Sequence, residues 1–370
     1  MQVRRHALVF LVLIVLGQAG CKHHYGPSTV VADRVPYNEA IALSWKEQTL
    51  LNIVRLRYMD TPFFVDVPQM TSGYQVIGTA SATAGIFPPV DHLASFAQEL
   101  GASLNLQAGY QDRPTISYAP QTHSQFIRNL TQPINPGSVM FLLQSGYPAD
   151  IVFNHTVDMI NGVKNRSVSG GDLRPADPEF SRIVQILRKA QLSGNVGIRV
   201  TTEKDKKDSA TDKRDSIAFF FQDKDIDPEL AKELAEVRKM LRLDPDLKEF
   251  RVTFGGTAAS SKEISILSRS VIRILTELST YVEVPAEHQA SGIAPPIGEV
   301  DEVEQPPMRV LSGCNKPHDP FTAVCYEGQW FWIEKSDFFS KRTMGYLLVL
   351  LALADTGSKE NLPVITIQAN

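Results

Sequence analysis

The stretch NEAIALSWKEQTLLNIVRLRY at residues 38–58, followed by FFVDVP at residues 63–68, sets the pattern of this chain. The first part has apolar residues at helical spacing and the second is a short extended run closed by Pro68, so a helix leading into a strand is predicted. The same order recurs in three further pairs of stretches: 178–192 with 196–201, 261–280 with 281–285, and 337–354 with 363–368. Because these elements do not alternate strictly as strand, helix and parallel strand, the chain is predicted to be α+β, with helix-then-strand units packed on mixed or antiparallel sheet.

A different pattern, the alternation of apolar and polar residues, runs through residues 74–111. The alternation is complete over 100–111, and the region predicts a long amphipathic β-hairpin. Transmembrane β-strands need about 9 to 11 residues of this dyad pattern with aromatic residues near their ends, where Tyr74, Phe87 and Tyr110 stand. Two hypotheses stay open: an ordinary sheet with one packed face, and a hairpin that several copies lend to a shared membrane pore.

The amino terminus has the layout of a secretory signal. Two arginines precede an apolar run at 7–17 that is too short to span a bilayer as a helix, and Gln-Ala-Gly then leads to Cys21. This segment resembles the lipobox of bacterial lipoproteins, in which small residues precede a cysteine that is acylated before cleavage, although Gln18 stands where an aliphatic residue is usual. The resemblance implies a signal peptide at 1–20 and acyl chains, such as palmitate, on Cys21.

The same resemblance implies a location. An acylated Cys21 would anchor the protein to a lipid bilayer, and Lys22 in place of Asp after it resembles the sorting context of outer-membrane lipoproteins. Residues 21–36 are short and polar, which favours a tether between the lipid and the body. The expectation is a periplasm-facing protein of the outer membrane.

The charge balance argues against nucleic acid as a partner. The chain has 37 basic and 41 acidic side chains, and the predicted signal removes two of the basic ones, so about six net negative charges remain. Binding to nucleic acid depends mainly on neutralising phosphates with Lys and Arg.

The body is predicted to divide at a Pro-rich acidic segment. Residues 37–284 form the main α+β body, and 285–307, with five prolines, form a linker or surface strap. The last part, 308–370, is predicted to contain a hairpin that turns at Glu327-Gly328, followed by a buried helix and a strand.

Few residues point to chemistry. The phosphate-binding, metal-ligating and nucleophile-elbow motifs are absent from the sequence and the eight histidines are scattered, so we predict no catalytic residue, no metal site and no cofactor. Cys314 and Cys325 would close a small disulfide loop in an oxidising periplasm, the alternative being two reduced thiols. Trp330 and Trp332 share one face of a strand and Phe331 the other, so either core packing or ligand stacking explains the pair.

Two stretches resemble segments of bacterial envelope lipoproteins to which no activity is assigned: 52–58 with 60–63, and 327–333 running to 340–342. The interpretation that follows is a structural or assembly component of an envelope complex, acting by binding an envelope protein or further copies of itself. One alternative is a subunit of an oligomeric outer-membrane pore or export complex that contributes the hairpin at 74–111. The other is a periplasmic hydrolase without a recognisable motif.

Overall fold

The long helix predicted at 38–58 begins earlier, at Pro27. The computed structural model describes residues 27–71, 73–86, 100–112, 114–121, 124–169, 172–204, 213–222, 226–296, 306–354 and 365–368. The predicted signal and Cys21 lie outside these residues. Residues 27–36 of the predicted tether are helical, and Pro27 stands in the first turn of the helix, where a missing backbone N–H costs nothing.

The helices are α1 Pro27–Arg57, α2 Ser124–Thr131, α3 Pro136–Gln144, α4 Ala149–Thr156, α5 Pro178–Leu192, α6 Pro228–Met240, α7 Val271–Ser279, α8 Ala286–Ala290 and α9 Phe338–Ala354. The strands of the first half are β1 Val65–Thr71, β2 Tyr74–Ile86, β3 Leu100–Asp112, β4 Thr115–Pro120, β5 Val157–Ile160, β6 Val163–Lys164, β7 Ser167–Ser169 and β8 Asp172–Arg174. Those of the second half are β9 Val196–Lys204, β10 Lys213–Phe221, β11 Glu249–Phe254, β12 Glu263–Ser268, β13 Leu311–Gly313, β14 Thr322–Tyr326, β15 Gln329–Ile333 and β16 Ile365–Gln368. Helices and mixed or antiparallel sheets confirm the predicted α+β class.

The chain divides into two compact units that differ from the predicted division. Unit 1 takes in residues up to Asp60, Val168–Leu173 and Leu275–Val349, and unit 2 takes in Thr61–Ser167, Arg174–Ile274 and residues from Leu350 onward. The first helix therefore groups with the carboxyl-terminal module and not with the body that follows it in sequence. Within the described residues, no helix combines the length and the apolar character needed to cross a bilayer.

Unit 2 is built on a six-stranded sheet in the order β6-β5-β12-β11-β10-β9. All neighbours are antiparallel except β11 and β12, which are parallel. Helices α3, α4 and α5 pack against the sheet, and α6 packs on α5. Side chains from both layers form the buried core: Val139, Val152, Phe180, Ile183, Ile186, Phe221, Phe250 and Ile266.

One predicted unit is divided differently in the structure. The predicted helix at 261–280 is a strand, β12, and then a shorter helix, α7, whereas the predicted strand at 281–285 makes only an isolated bridge at Val282. Ile264 and Ile266 explain the difference, since a two-residue spacing buries both on one face of a strand.

A buried arginine at the end of β12 ties that strand to α4, to β5 and to the residues between β6 and β7. Arg269 is almost fully buried, and its guanidinium donates to the carbonyl oxygens of Asn154 at 3.1 Å and of Arg166. Its Nε lies 3.5 Å from Oδ1 of Asp158, a carboxylate that also faces Nη2 of Arg273 at 3.2 Å. The buried cation is therefore neutralised inside the unit, as a buried charge must be.

The predicted hairpin at 74–111 is present in unit 2 as an antiparallel ribbon formed by β2 and β3. Its register runs without a break from Tyr74 opposite Asp112 to Ile86 opposite Leu100. The ribbon follows directly from the pairing of β1 with β4, whose last pair is Thr71 with Thr115. Phe87 lies outside the described residues.

Unit 1 packs the carboxyl-terminal half of α1 against a small sheet in the order β13-β15-β14. The predicted turn at Glu327-Gly328 is confirmed, and both residues have positive φ, which is typical of tight hairpin turns. The predicted Pro-rich linker contains helix α8, whose His288 is buried.

Candidate functional site

Strand β15 presents the two tryptophans that the sequence singled out. Phe331 is fully buried, whereas Trp330 and Trp332 lie partly exposed on the opposite face, as the alternation predicted. In the register, Trp330 stands between two small residues, Gly313 and Cys325. We call the two indoles the aromatic shelf.

A cation adjoins the aromatic shelf. The Nζ atom of Lys316 lies 5.3 Å from the centre of the Trp330 ring, within the range of a cation–π contact. Trp332 pairs in register with Leu311 and Ala323, and Gly313 lies close beneath its ring. The shelf is suited to stacking an apolar or planar group, but its indoles also pack on their own sheet, so both interpretations of the pair stay open.

The two cysteines lie near the same strand and are free. Cys314 and Cys325 are both exposed and unbonded. Strand β15 separates the strand that precedes Cys314 from the strand that carries Cys325, a spacing of about 10 Å for two strand intervals. A disulfide requires Cα atoms within about 7 Å, so the predicted bridge is not formed in this arrangement.

A hydrogen-bonded aromatic cluster lies on the buried side of β15, and sequence reasoning did not find it. The Tyr58 ring makes edge contacts with the rings of Tyr326 at 5.3 Å and Phe331 at 6.0 Å. The Tyr58 hydroxyl lies 2.7 Å from Nδ1 of His288, and the Tyr326 hydroxyl donates to Oδ2 of Asp60 at 2.9 Å. Residues 52–60 and 326–331, far apart in the sequence, thus meet at this cluster.

Burial sets the protonation of these phenols. It raises the pKa of Tyr58, and burial followed by the hydrogen bond to Asp60 raises the pKa of Tyr326 to about 12. Both phenols are therefore protonated near neutral pH and can act as donors. Helix α1 ends at Arg57, and Met59, with a positive φ of 59°, turns the chain just after it. The cluster fastens the end of α1 to the sheet.

The ribbon in unit 2 is the second candidate, and it is a candidate interface. Its register aligns the alternation of the two strands, because alternate residues share a face. One face carries the pairs Tyr74–Asp112, Val76–Tyr110, Gly78–Ala108, Ala80–Leu106, Ala82–Leu104, Ala84–Ala102 and Ile86–Leu100. The other carries Gln75–Gln111, Ile77–Gly109, Thr79–Gln107, Ser81–Asn105, Thr83–Ser103 and Gly85–Gly101. The first face is thus apolar or glycine apart from Asp112 at its end, and the other is polar apart from Ile77 and its glycines.

Searches against protein-family models, curated proteins and solved structures find no match to this chain. In the part of the chain that the structure describes, no three His, Cys, Asp or Glu side chains are grouped so as to hold a metal ion. The features available for a functional argument are therefore the ribbon, the aromatic shelf and the surfaces of the two units.

Proposed function

We propose that this protein is a lipid-anchored, periplasm-facing component of the bacterial outer membrane that acts by binding within an envelope assembly. The observation that supports the proposal best is the ribbon of β2 and β3. The anchor rests on the resemblance of the segment before Cys21 to a lipobox, and the ribbon supplies the surface for association.

The ribbon has both of its edges open. Among the described strands, no third strand joins β2 and β3 in their sheet. Each of the two therefore has one row of backbone N–H and C=O groups without a strand partner. A two-stranded ribbon is marginally stable in water, and a long open edge is a template for pairing with another chain. Association with a second surface would stabilise the ribbon and would give the backbone groups of its open edges hydrogen-bond partners.

A pore subunit is the second candidate function, and the register favours it. Thirteen residues per strand extend about 44 Å, more than the roughly 30 Å of a bilayer core. Strands of a pore wall present an apolar face to lipid and a polar face to water, which is the division that the register produces. Several copies would have to join edge to edge, because no backbone group can stay unpaired in lipid.

Site-specific photo-crosslinking in membranes tests the assembly proposal. A photoreactive residue is placed at Thr79 in β2 or at Gln107 in β3, and at the exposed Lys239 of α6 as the matched control. We expect adducts of one defined size from the two ribbon positions and none from Lys239. Protein made without residues 1–20 and carrying Cys21→Ser should lose the adducts together with membrane fractionation. Equal adducts from all three positions, or none from the ribbon, would contradict the proposal.

Two neighbouring substitutions separate the pore from other assemblies. Leu104→Arg places a charge on the apolar face, at a cost of about 2 to 4 kcal/mol near the bilayer centre, whereas Asn105→Arg lies on the polar face. For a pore, we expect the first to abolish ion conductance in reconstituted vesicles and the second to keep it with altered ion selectivity. Wild-type protein that crosslinks through the ribbon yet conducts no ions would exclude the pore and leave the assembly proposal standing.

A further inference from the structure

We propose that a groove in unit 2 binds an extended peptide segment of a partner protein by adding it as a strand beside β9. This surface is separate from the ribbon and does not depend on the lipid anchor. The groove has a volume of about 520 Å³, within the range typical of ligand sites. Strand β9 forms one wall, and the end of helix α5 forms the other.

The strand wall offers main-chain groups to an occupant. Within the described residues β9 is the last strand of the six-stranded sheet, so its row of N–H and C=O groups on the side away from β10 has no strand partner. Nine residues is long for an unprotected edge. Only an extended backbone matches a row of alternating donors and acceptors, which favours a peptide over a small apolar molecule.

Gly197 leaves the main chain of β9 accessible to a bound peptide, because it has no side chain. It lines the groove between Val196 and Ile198, and as a glycine it contributes only backbone atoms. A Cβ atom at this position would lie 2.4 Å from Cζ of Phe220, so the ring of Phe220 can cover the strand only while residue 197 is glycine. Gly197 is partly exposed, so its backbone and the ring of Phe220 line the groove together.

The helix wall is held in place by Gln191. Its Nε2 donates to the carbonyl oxygens of Leu143 at 3.1 Å and Tyr147 at 2.8 Å, and its Oε1 accepts from the backbone N–H of Ala149 at 3.0 Å. The same Oε1 accepts from Nη1 of Arg188 at 2.8 Å. A wall fixed by four hydrogen bonds is preformed, so a peptide would not have to order it on binding.

The groove combines apolar lining with one cation. Leu192, at the end of α5, is 72% exposed and lines the groove. The Arg188 side chain is one-third exposed, and its Nε lies 3.6 Å from Asp150. In strand addition, alternate side chains of the peptide enter the groove. We therefore infer an occupant with apolar residues at alternate positions and an acidic residue, or a terminal carboxylate, near Arg188.

A phage-displayed library of random nonapeptides, panned against the mature chain carrying Cys21→Ser, provides the probe. The best enriched sequence is then synthesised and its affinity measured by fluorescence anisotropy. We expect Leu192→Glu to weaken binding at least tenfold, whereas Phe141→Glu should leave the affinity unchanged. Phe141 is a matched control, since it is 68% exposed in the same unit but does not line the groove.

Two further measurements report the mode of binding. Hydrogen exchange should slow at the amides of 196–199 when the peptide is bound, because the edge of β9 gains hydrogen bonds. Arg188→Gln should weaken acidic peptides more than their amide counterparts. A library that yields no sequence enriched over the Leu192→Glu protein would overturn the proposal, as would peptides that bind both proteins equally or leave 196–199 unprotected.

Discussion

Neutralising Asp158 should destabilise unit 2 severely. The side chain of Arg269 is 1% exposed and that of Asp158 is 10% exposed, and their charged atoms are 3.5 Å apart. At an effective dielectric constant of about 20, this pair is worth about 5 kcal/mol of Coulomb energy. In Asp158→Asn, Arg269 keeps its bonds to the carbonyl oxygens of Asn154 and Arg166 but loses its counter-charge. We expect a loss of about 3 kcal/mol, as for other buried ion pairs that lose one partner.

The matched control is the second arginine at the same carboxylate. Arg273 lies 3.2 Å from Asp158, but its side chain is 43% exposed, so water replaces much of the interaction. Arg273→Met should therefore cost about 1 kcal/mol or less. Asp158→Asn leaves the buried Arg269 without a counter-charge, whereas Arg273→Met removes only the exposed ion pair and a hydrogen bond to Ser167.

The assay has to report on unit 2. All three tryptophans of the chain, Trp45, Trp330 and Trp332, belong to unit 1, so their fluorescence follows that unit alone. Hydrogen exchange of the amides in β5 and β12 measures unit 2 directly, and 3 kcal/mol corresponds to about a hundredfold faster exchange. Two outcomes would refute the assignment of Asp158 as the counter-charge of Arg269. One is an acceleration of less than about fivefold in Asp158→Asn, and the other is the same acceleration in Arg273→Met as in Asp158→Asn.

Three further predictions concern unit 1. The tyrosinate absorbance that is lost in Tyr326→Phe should titrate in the wild type near pH 12 and not near 10; the stability from this raised pKa is complete below about pH 10 and is lost as the pH rises through about 12. Titration near 10 would contradict the burial of the Tyr326 hydroxyl together with its hydrogen bond to Asp60. Cys314 and Cys325 should both react with a maleimide in folded, unreduced protein, and protection of both would show the disulfide instead. Phe331→Ala should lower the free energy of unfolding followed by tryptophan fluorescence by about 3 to 5 kcal/mol, and a loss below 1 would contradict its core position.

Local patterns explain what the sequence predicted correctly. The alternation at 74–111 and the turn at Glu327-Gly328 are contained in neighbouring residues, and both hairpins form. The grouping of α1 with residues after 275 depends on contacts between distant segments, which periodicity cannot reveal. Only an apolar alternation in 263–268 distinguishes β12 from the helix that was predicted there.

The candidate sites also divide into those marked by a local pattern and those formed by distant segments. Trp330 and Trp332 were found because two indoles at alternate positions stand out in any strand. His288 gave no signal, since it lies in a Pro-rich segment without a motif, and only the fold brings it to Tyr58. The groove was missed for a related reason, because its walls come from α5 and β9 and a single glycine, Gly197, carries the accessible backbone.

The length of the first helix before its first buried residue also has a consequence for the proposed anchor. Through residue 48 none of its described side chains is buried, and burial begins at Thr49. Twenty-two helical residues correspond to about 33 Å. With the proposed acyl anchor at Cys21, this rod would fix how far the packed part of unit 1 can stand from the lipid surface. Pro36 removes one backbone hydrogen bond from the rod, so bending would concentrate there and let the unit tilt without changing its reach.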